Sequence, residues 1–291
     1  MEIGKFKVYD WSIAATETCI VVFIEPEGLK IAFDIGYSSS QSVQCDYVFV
    51  SHGHMDHVSG LLQHAAKRRL VSMKSAAYYV SPMLKASLSS AAQLFASMDG
   101  KDNLTKVNIQ ETQPGDNIKL PQGYFVTPFK TVHLVPSQGY ILWTEKSKLR
   151  DKFKGRASSY IANLQQFGVE VTEAQDIPEI AFTGDTTFEC FHLEENAAIR
   201  RVNLLIMEVT YLDDETTLDK ARARGHIHLN ELAENEELFR DVKSILLMHF
   251  SFKYSASQIE KLVKSKLPES LLKKVHLGLT AHNNYALKHT D

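Results

Sequence analysis

The chain has 291 residues, 44% of them hydrophobic, with 32 basic against 35 acidic side chains and a net charge of −3. That length holds one large domain or two small ones, and the mild acidity excludes a chain drawn to nucleic acid by net charge alone, so any such contact has to use a local patch. Three widely spaced cysteines, Cys19, Cys45 and Cys190, exclude a disulfide framework and a Cys-x-x-Cys zinc site.

In chain order, residues 1–11 lack the apolar core of a signal peptide, and no later run approaches membrane-spanning length, so no membrane partner is expected. With the cysteine usage, this fits a reducing, cytoplasmic setting, with nucleus and organelle left open. Residues 20–24 and 29–35 are β-rich and joined by a Pro-Glu-Gly turn at 26–28. A short apolar strand at 47–50 follows. Residues 58–70 and 83–98 have helical apolar spacing. Strand-like runs come at 105–110, 117–120, 124–129 and 139–144, and a helix is expected around 158–167. Strand and helix then alternate through 179–183, 194–200, 202–209, 229–240, 244–250, 255–267 and 275–280. Strands in both halves, helices between them and no Gly/Ser/Pro linker describe one α/β domain of layered sheets spanning 1–291.

The most informative segment is Ser51-His52-Gly53-His54-Met55-Asp56-His57, directly after the 47–50 strand. Neutral imidazole and carboxylate are ligands that zinc and similar divalent ions accept. In extended chain, side chains at i and i+2 point the same way, so His52 and His54 can converge on one ion. The turn into the following helix would aim Asp56 and His57 at a second. Further candidates each end an apolar run: His133 after 125–132, Asp185 after 180–182, and His249 after 245–248.

This ordered set resembles the metallo-β-lactamase superfamily, which has a His-x-His-x-Asp-His motif, then a His, an Asp and a last His. Flanking residues narrow the likeness: His133 with Ser137, Gly139 and Tyr140; Phe182-Thr183-Gly184-Asp185-Thr186; Glu208-x-Thr210; Gly225-His226; and His249-Phe250-Ser251 with Tyr254. These look like ribonuclease Z (tRNase Z), short form, from about Glu17 to about Thr280, and the segment 225–235 is similar to plant-type members.

The resemblance implies an αβ/βα four-layer sandwich, two mixed β-sheets flanked by helices. It implies two Zn²⁺ per chain, with Mn²⁺ or Mg²⁺ as substitutes, and a homodimer acting on precursor tRNA. His52, His54 and His133 would hold one ion, Asp56, His57 and His249 the other, and Asp185 would bridge. Asp56 would also orient the attacking water. His226 would be the proton donor with Glu208 as its carboxylate partner, and Thr186 would hydrogen-bond near Asp185. His228 lies two residues on and is the alternative donor. His64, His192, His276, His282 and His289 match nothing and are expected to be structural or surface residues.

Three departures bear on substrate. The acid histidine is followed by Ile227-His228 rather than Ser-Thr. Lys253 stands where the family usually has Arg, and a point charge replaces a bidentate phosphate fork. The arm that grips tRNA in bacterial-type members is reduced to a short insertion at about 144–178. That insertion carries Lys146, Lys148, Arg150, Lys152, Lys154 and Arg156 at every second position. As a strand it would line six cations along one face, suited to a phosphate backbone; as a loop it would be only solvated. The alternative readings are therefore a hydrolase of small phosphodiesters with the same fold, or a non-catalytic paralogue that binds RNA or protein.

Overall fold

The computed structural model describes residues 1–100 and 107–286. Two seven-stranded sheets face each other. The first takes its strands in sequence order: β1 (Glu2–Ile3), β2 (Phe6–Ile13), β3 (Glu17–Ile24), β4 (Leu29–Phe33), β5 (Tyr47–Phe49), β6 (Ala77–Val80) and β7 (Asn108–Glu111). The second runs from β8 (Ile118–Lys119) through β9 (Tyr124–Lys130), β10 (Gln138–Leu149), β11 (Thr172–Phe182), β12 (Leu204–Glu208) and β13 (Ser244–Met248) to β14 (Val275–Leu277). Pairing is antiparallel in β1–β4 and β8–β11 and parallel elsewhere, so both sheets are mixed, as expected.

The period-2 geometry of a strand explains the layers. On β12, Leu204 and Ile206 turn inward to meet Phe33 and Phe49 of the first sheet, with Phe182 and Met248 in the same core. Leu205 and Met207, from the same strand, face outward into a second core with Phe191, Phe239, Ile259 and Val263. The outer face of the first sheet likewise packs Val21, Ala32, Val48 and Tyr78 against Leu61 and Leu88. A strand buried on both faces reads as a continuous apolar run, and β12 and β13 do so. The helices are α1 (Met55–Val58), α2 (Leu61–Leu70), α3 (Pro82–Asp99), α4 (Ser158–Gln166), α5 (Leu218–Ala223), α6 (Leu229–Glu234), α7 (Ala256–Lys266), α8 (Glu269–Leu272) and α9 (Thr280–Ala286).

Four expectations need correction. The helix expected at 58–70 is two, α1 and α2, broken at Gly60, where a Cβ would lie 2.6 Å from the Ile35 carbonyl oxygen. The helix expected at 229–240 ends at Glu234 and continues after Asn235 as a 3₁₀ turn, Glu236–Phe239. Strands β1, β2 and β6 have no counterpart among the expected elements. Residues 105 and 106 of the strand expected at 105–110 lie outside the described residues, as does His289; pairing is seen from Asn108.

The fourth correction concerns the insertion. Strand β10 continues well past the core, but it ends at Leu149, so only Lys146 and Lys148 of the six cations sit on it. The chain then turns through a 3₁₀ turn, Asp151–Phe153, that buries Phe153 and pairs Lys154 with Asp151 at 2.5 Å. Arg150 pairs with Glu170 at 2.7 Å and Lys148 stands opposite Glu173. No single face carries all six charges, because turn formation and local ion pairs divide the run.

Candidate active site

All the expected metal ligands lie at one rim, where strands of both sheets end. His52, His54 and α1 follow β5; His133 follows β9; Asp185 follows β11; His249 follows β13. Donor atoms of His52, His54, His133 and Asp185 fall within 4.8 Å of one another, as do those of Asp56, His57, Asp185 and His249. Asp185 belongs to both groups.

The spacings test whether the groups fit an ion. A tetrahedral centre with bonds of about 2.0–2.2 Å places its ligand atoms about 3.4 Å apart. His57 Nε2 lies 3.4 Å from Asp56 Oδ2 and 3.4 Å from Asp185 Oδ2, and His249 Nε2 lies 3.3 Å from Asp56 Oδ2 and 3.4 Å from Asp185 Oδ1. His133 Nε2 is 3.3 Å from His54 Nδ1, His52 Nε2 is 2.9 Å from His54 Nδ1, and His52 Nε2 is 3.7 Å from Asp185 Oδ2. His57 Nε2 and Asp185 Oδ1 are buried without a hydrogen bond, which is costly unless something else occupies them. The residues fit one divalent ion in each group.

The outer nitrogens fix the ring orientations. His57 Nδ1 donates to Asp34 Oδ2 at 2.6 Å, and His133 Nδ1 donates to the Gly225 carbonyl at 2.8 Å. His249 Nδ1 meets the Thr210 hydroxyl at 3.1 Å and His52 Nδ1 the Ser51 hydroxyl at 2.9 Å. Each ring therefore presents Nε2 inward, the arrangement that holds metal-ligating histidines elsewhere. Asp34 also accepts from the Ser51 N–H at 2.7 Å. The close approach at residue 225 requires glycine: its φ is +76° and a Cβ would lie 2.5 Å from His133 Nδ1. His249 itself has φ +59°, a strained backbone at the end of β13.

Sequence reasoning passed over Asp34, Ser51 and the role of Thr210. For Asp34 a signal was present, since it ends the apolar run of β4 just as the ligands end theirs. Asp56 has a partner from a distant hairpin, the Ala15 N–H at 2.8 Å.

Burial opposes charge throughout the site, and neighbours decide the outcome. Burial and the nearby His57 push His52 down to about 2. Burial would raise Asp56, but the His249 hydrogen bond and the adjacent His57 imidazole hold it well below the carboxylate range. Burial would lower His57, but the charges of Asp185 and Asp34 lift it far above the usual histidine value. A histidine holds a metal ion through a neutral ring nitrogen, so metal binding at His57 would compete with a proton.

Beside these groups, His226 Nδ1 donates to Glu208 Oε1 at 2.9 Å. Glu208 is fully buried and also accepts from the Thr186 N–H at 2.9 Å, the Thr210 hydroxyl at 2.6 Å and the Thr210 N–H at 3.2 Å. Although Glu208, His226 and His249 also lie within 4.8 Å of one another, Glu208 is so fully engaged by donors that the pair reads as a proton-holding device. Burial alone would lower His226, but the Glu208 carboxylate raises it to about 9. Thr186 also accepts from the Val132 N–H at 2.9 Å, tying Glu208 to the segment after β9 that carries His133.

His228 points elsewhere. Its Nε2 donates to the Asp213 carbonyl at 2.8 Å and its Nδ1 accepts from the Asn230 N–H, capping α6. Lys253 is paired with Asp213 at 2.7 Å. The cations of the insertion are not brought to this rim: Gln138, at the start of β10, donates its N–H to Ser51, whereas Leu149 ends the strand on the order of 35 Å away along the chain. His64 is structural, bridging the Tyr78 hydroxyl and the Ser42 carbonyl.

Fold and rim together define a metallo-hydrolase with two donor sets sharing a carboxylate. The sequence matches the family model "Beta-lactamase superfamily domain" over residues 36–250. It is 37% identical over 271 residues to tRNase Z TRZ1 of Arabidopsis thaliana, covering 93% of this chain and 94% of that one. The chloroplastic tRNase Z TRZ2 of the same plant is 34% identical, covering 90% and 72%. The fold is similar to that of the human short-form tRNase Z (ELAC1), with TM-score 0.59, 17% identity and coverage of 94% and 95%. The chain belongs to the tRNase Z family of the β-lactamase superfamily, and so to the hydrolases of endoribonuclease type.

Proposed function

We propose that this protein is a zinc-dependent endoribonuclease that removes the 3′ trailer from precursor tRNA and leaves a 3′-hydroxyl on the tRNA. The observation that carries the reading is the buried Glu208–His226 pair beside two donor sets joined by Asp185, in a chain related to tRNases Z over most of its length. Five imidazoles and two carboxylates, His52, His54, His57, His133, His249, Asp56 and Asp185, suit zinc better than magnesium, with Mn²⁺ or Mg²⁺ as substitutes. When bound, two such ions supply Lewis acidity to the scissile phosphate and lower the pKa of the attacking water.

The chain's own groups do the rest. Asp56, held by the Ala15 N–H, stays ionised and orients the water as a base. His226 donates its proton to the leaving ribose 3′-oxygen, a poor leaving group unless protonated. Glu208 holds that imidazole in place and stabilises its charged form, and Thr186 and Thr210 hold Glu208.

We read residues 1–291 as one domain with an arm insertion at about 144–178, whose cations Lys146 to Arg156 contact the tRNA body, with Lys253 as a further phosphate contact. Exposed Met83, Leu94, Phe95 and Met98 on α3 support a homodimer. The three buried, unpaired cysteines support a reducing, cytoplasmic setting. Among the described residues no helix is long and apolar enough to cross a membrane.

Incubation with a 3′-extended precursor tRNA and mapping of the cut tests the reading. The expected product is tRNA with a free 3′-hydroxyl. Turnover of a chromogenic phosphodiester with the precursor left intact would favour the small-phosphodiester hydrolase, which the shortness of the arm keeps in view. RNA binding with no hydrolysis of either would favour a non-catalytic paralogue.

A further inference from the structure

The turn that delivers His226 also carries an arginine to the same mouth. Arg224 is exposed, yet it is held: its Nη1 donates to the Tyr211 hydroxyl at 3.0 Å, and its Cζ sits 5.5 Å from the Tyr211 ring centroid. The Tyr211 ring is in turn 6.2 Å from the His226 ring. The backbone on the C-terminal side of Arg224 is pinned to the site, since the Gly225 carbonyl accepts from His133 and His226 is bonded to Glu208.

Its neighbours differ in one respect. Arg222 is ion-paired with Glu231 at 2.7 Å, and Lys253, the other cation proposed to meet phosphate, shares its charge with Asp213 at 2.7 Å. Among the described residues, no carboxylate lies within ion-pairing distance of Arg224. With one nitrogen engaged by Tyr211, the guanidinium keeps Nε and Nη2 for the fork that matches a phosphate. A cation already stacked and hydrogen-bonded loses less side-chain freedom on binding than a free one.

Position tells which phosphate. If His226 protonates the 3′-oxygen leaving with the tRNA, the nucleotide next to His226 is the last one of the tRNA side. A cation on the His226 flank then meets the backbone on that side rather than the trailer. We propose that Arg224, positioned by Tyr211, binds the RNA backbone phosphate immediately 5′ of the scissile one. This inference rests on the tRNA-processing reading and adds a substrate contact to it.

The test uses the full-length, metal-loaded protein and precursor tRNAs in which one phosphate is a neutral methylphosphonate. Arg224→Gln should raise KM about tenfold, as loss of a charge-assisted hydrogen bond does, and lower the salt slope by about one. A methylphosphonate immediately 5′ of the cut should cost the parent protein a similar factor and cost Arg224→Gln nothing further, whereas one in the trailer should weaken both equally. Arg224→Lys keeps the charge without the fork and should recover part of the loss. Metal content and thermal midpoint, expected to match the parent, show that the variants are folded. If the 5′ methylphosphonate weakens parent and variant by the same factor, Arg224 does not read that phosphate and the inference is overturned. A parent protein that cleaves no precursor tRNA removes the processing reading and this inference with it, an outcome visible before any variant is made.

Discussion

The catalytic rim and the basic insertion sit at opposite ends of strands β10 and β11, and they handle charge in different ways. At the rim, most liganding side chains are buried, and four of the five imidazoles have an identifiable group fixing their outer nitrogen: Asp34 for His57, Gly225 for His133, Thr210 for His249 and Ser51 for His52. In the insertion, Lys146, Lys152, Lys154 and Arg156 are exposed; Lys154 pairs with Asp151, Arg150 with Glu170, and Lys152 lies over the Phe153 ring. The rim works by position, where a displaced atom changes chemistry. Exposed cations of the kind found in the insertion act on a polyanion by summed attraction, where no single atom decides. Loss of one rim group should therefore cost far more than loss of several cations in the insertion.

The largest effect is expected from Asp185→Ala. Asp185 belongs to both donor sets, so its removal should lower both occupancies and bring hydrolysis to background. Metal analysis of protein purified without chelator reads this directly. Full retention of metal by the variant would contradict the shared-ligand assignment.

Next comes His226→Ala, which should keep metal but lose about 10²–10⁴ in cleavage rate, the usual worth of a general acid. The pH profile sharpens this. Glu208 raises His226 to about 9, so the active imidazolium is present below that value and lost as pH rises through it. Bound cations repel imidazolium, so the alkaline limb should fall at or below pH 9, and His226→Ala should lack it. A variant that instead sheds its metal would recast His226 as a ligand.

The contrast between rim and insertion also explains what could be read from the sequence. The candidate ligands could be singled out because each ends an apolar run, and the structure brings those strand ends together at one rim. The order of the strands within the two sheets, and which side chains of each strand face the partner sheet, come from the structure alone. The residues that orient the ligands were harder. Asp34 and Ser51 look like ordinary strand-end polar residues until His57 and His52 are placed against them. His226 and His228 could not be separated by spacing, because only the fold reveals that His228 caps α6. The six alternating cations resembled a strand, but Asp151 and the burial of Phe153 favour a turn after Leu149.

Asp34 supplies the intermediate case. Asp34→Asn preserves size but weakens the hold on His57 Nδ1, the contact at 2.6 Å. Groups in this outer position are worth about 10–100-fold in metal affinity or activity. Competition with a chelator should show easier metal loss from the variant than from the parent. Equal metal retention and equal rate would mean that His57 is held by packing alone.

The smallest effect per residue is expected in the insertion, and it is the one that separates the two regions most cleanly. Replacing Lys146, Lys148, Arg150, Lys152, Lys154 and Arg156 together by Ser removes charge far from the scissile bond. Each lost phosphate contact should flatten the salt dependence of precursor binding by about one unit of log–log slope. Arg150 and Lys154 already share their charge with Glu170 and Asp151, so the total should fall short of six. Turnover of a small chromogenic phosphodiester has no use for a distant cation, so affinity for precursor and rate on the small probe should part company. An unchanged salt slope would make the insertion a solvated loop. Recognition of the tRNA body would then have to rest on cations nearer the rim, and the small-phosphodiester reading would gain from it, because 146–156 is the densest run of alternating cations in the sequence.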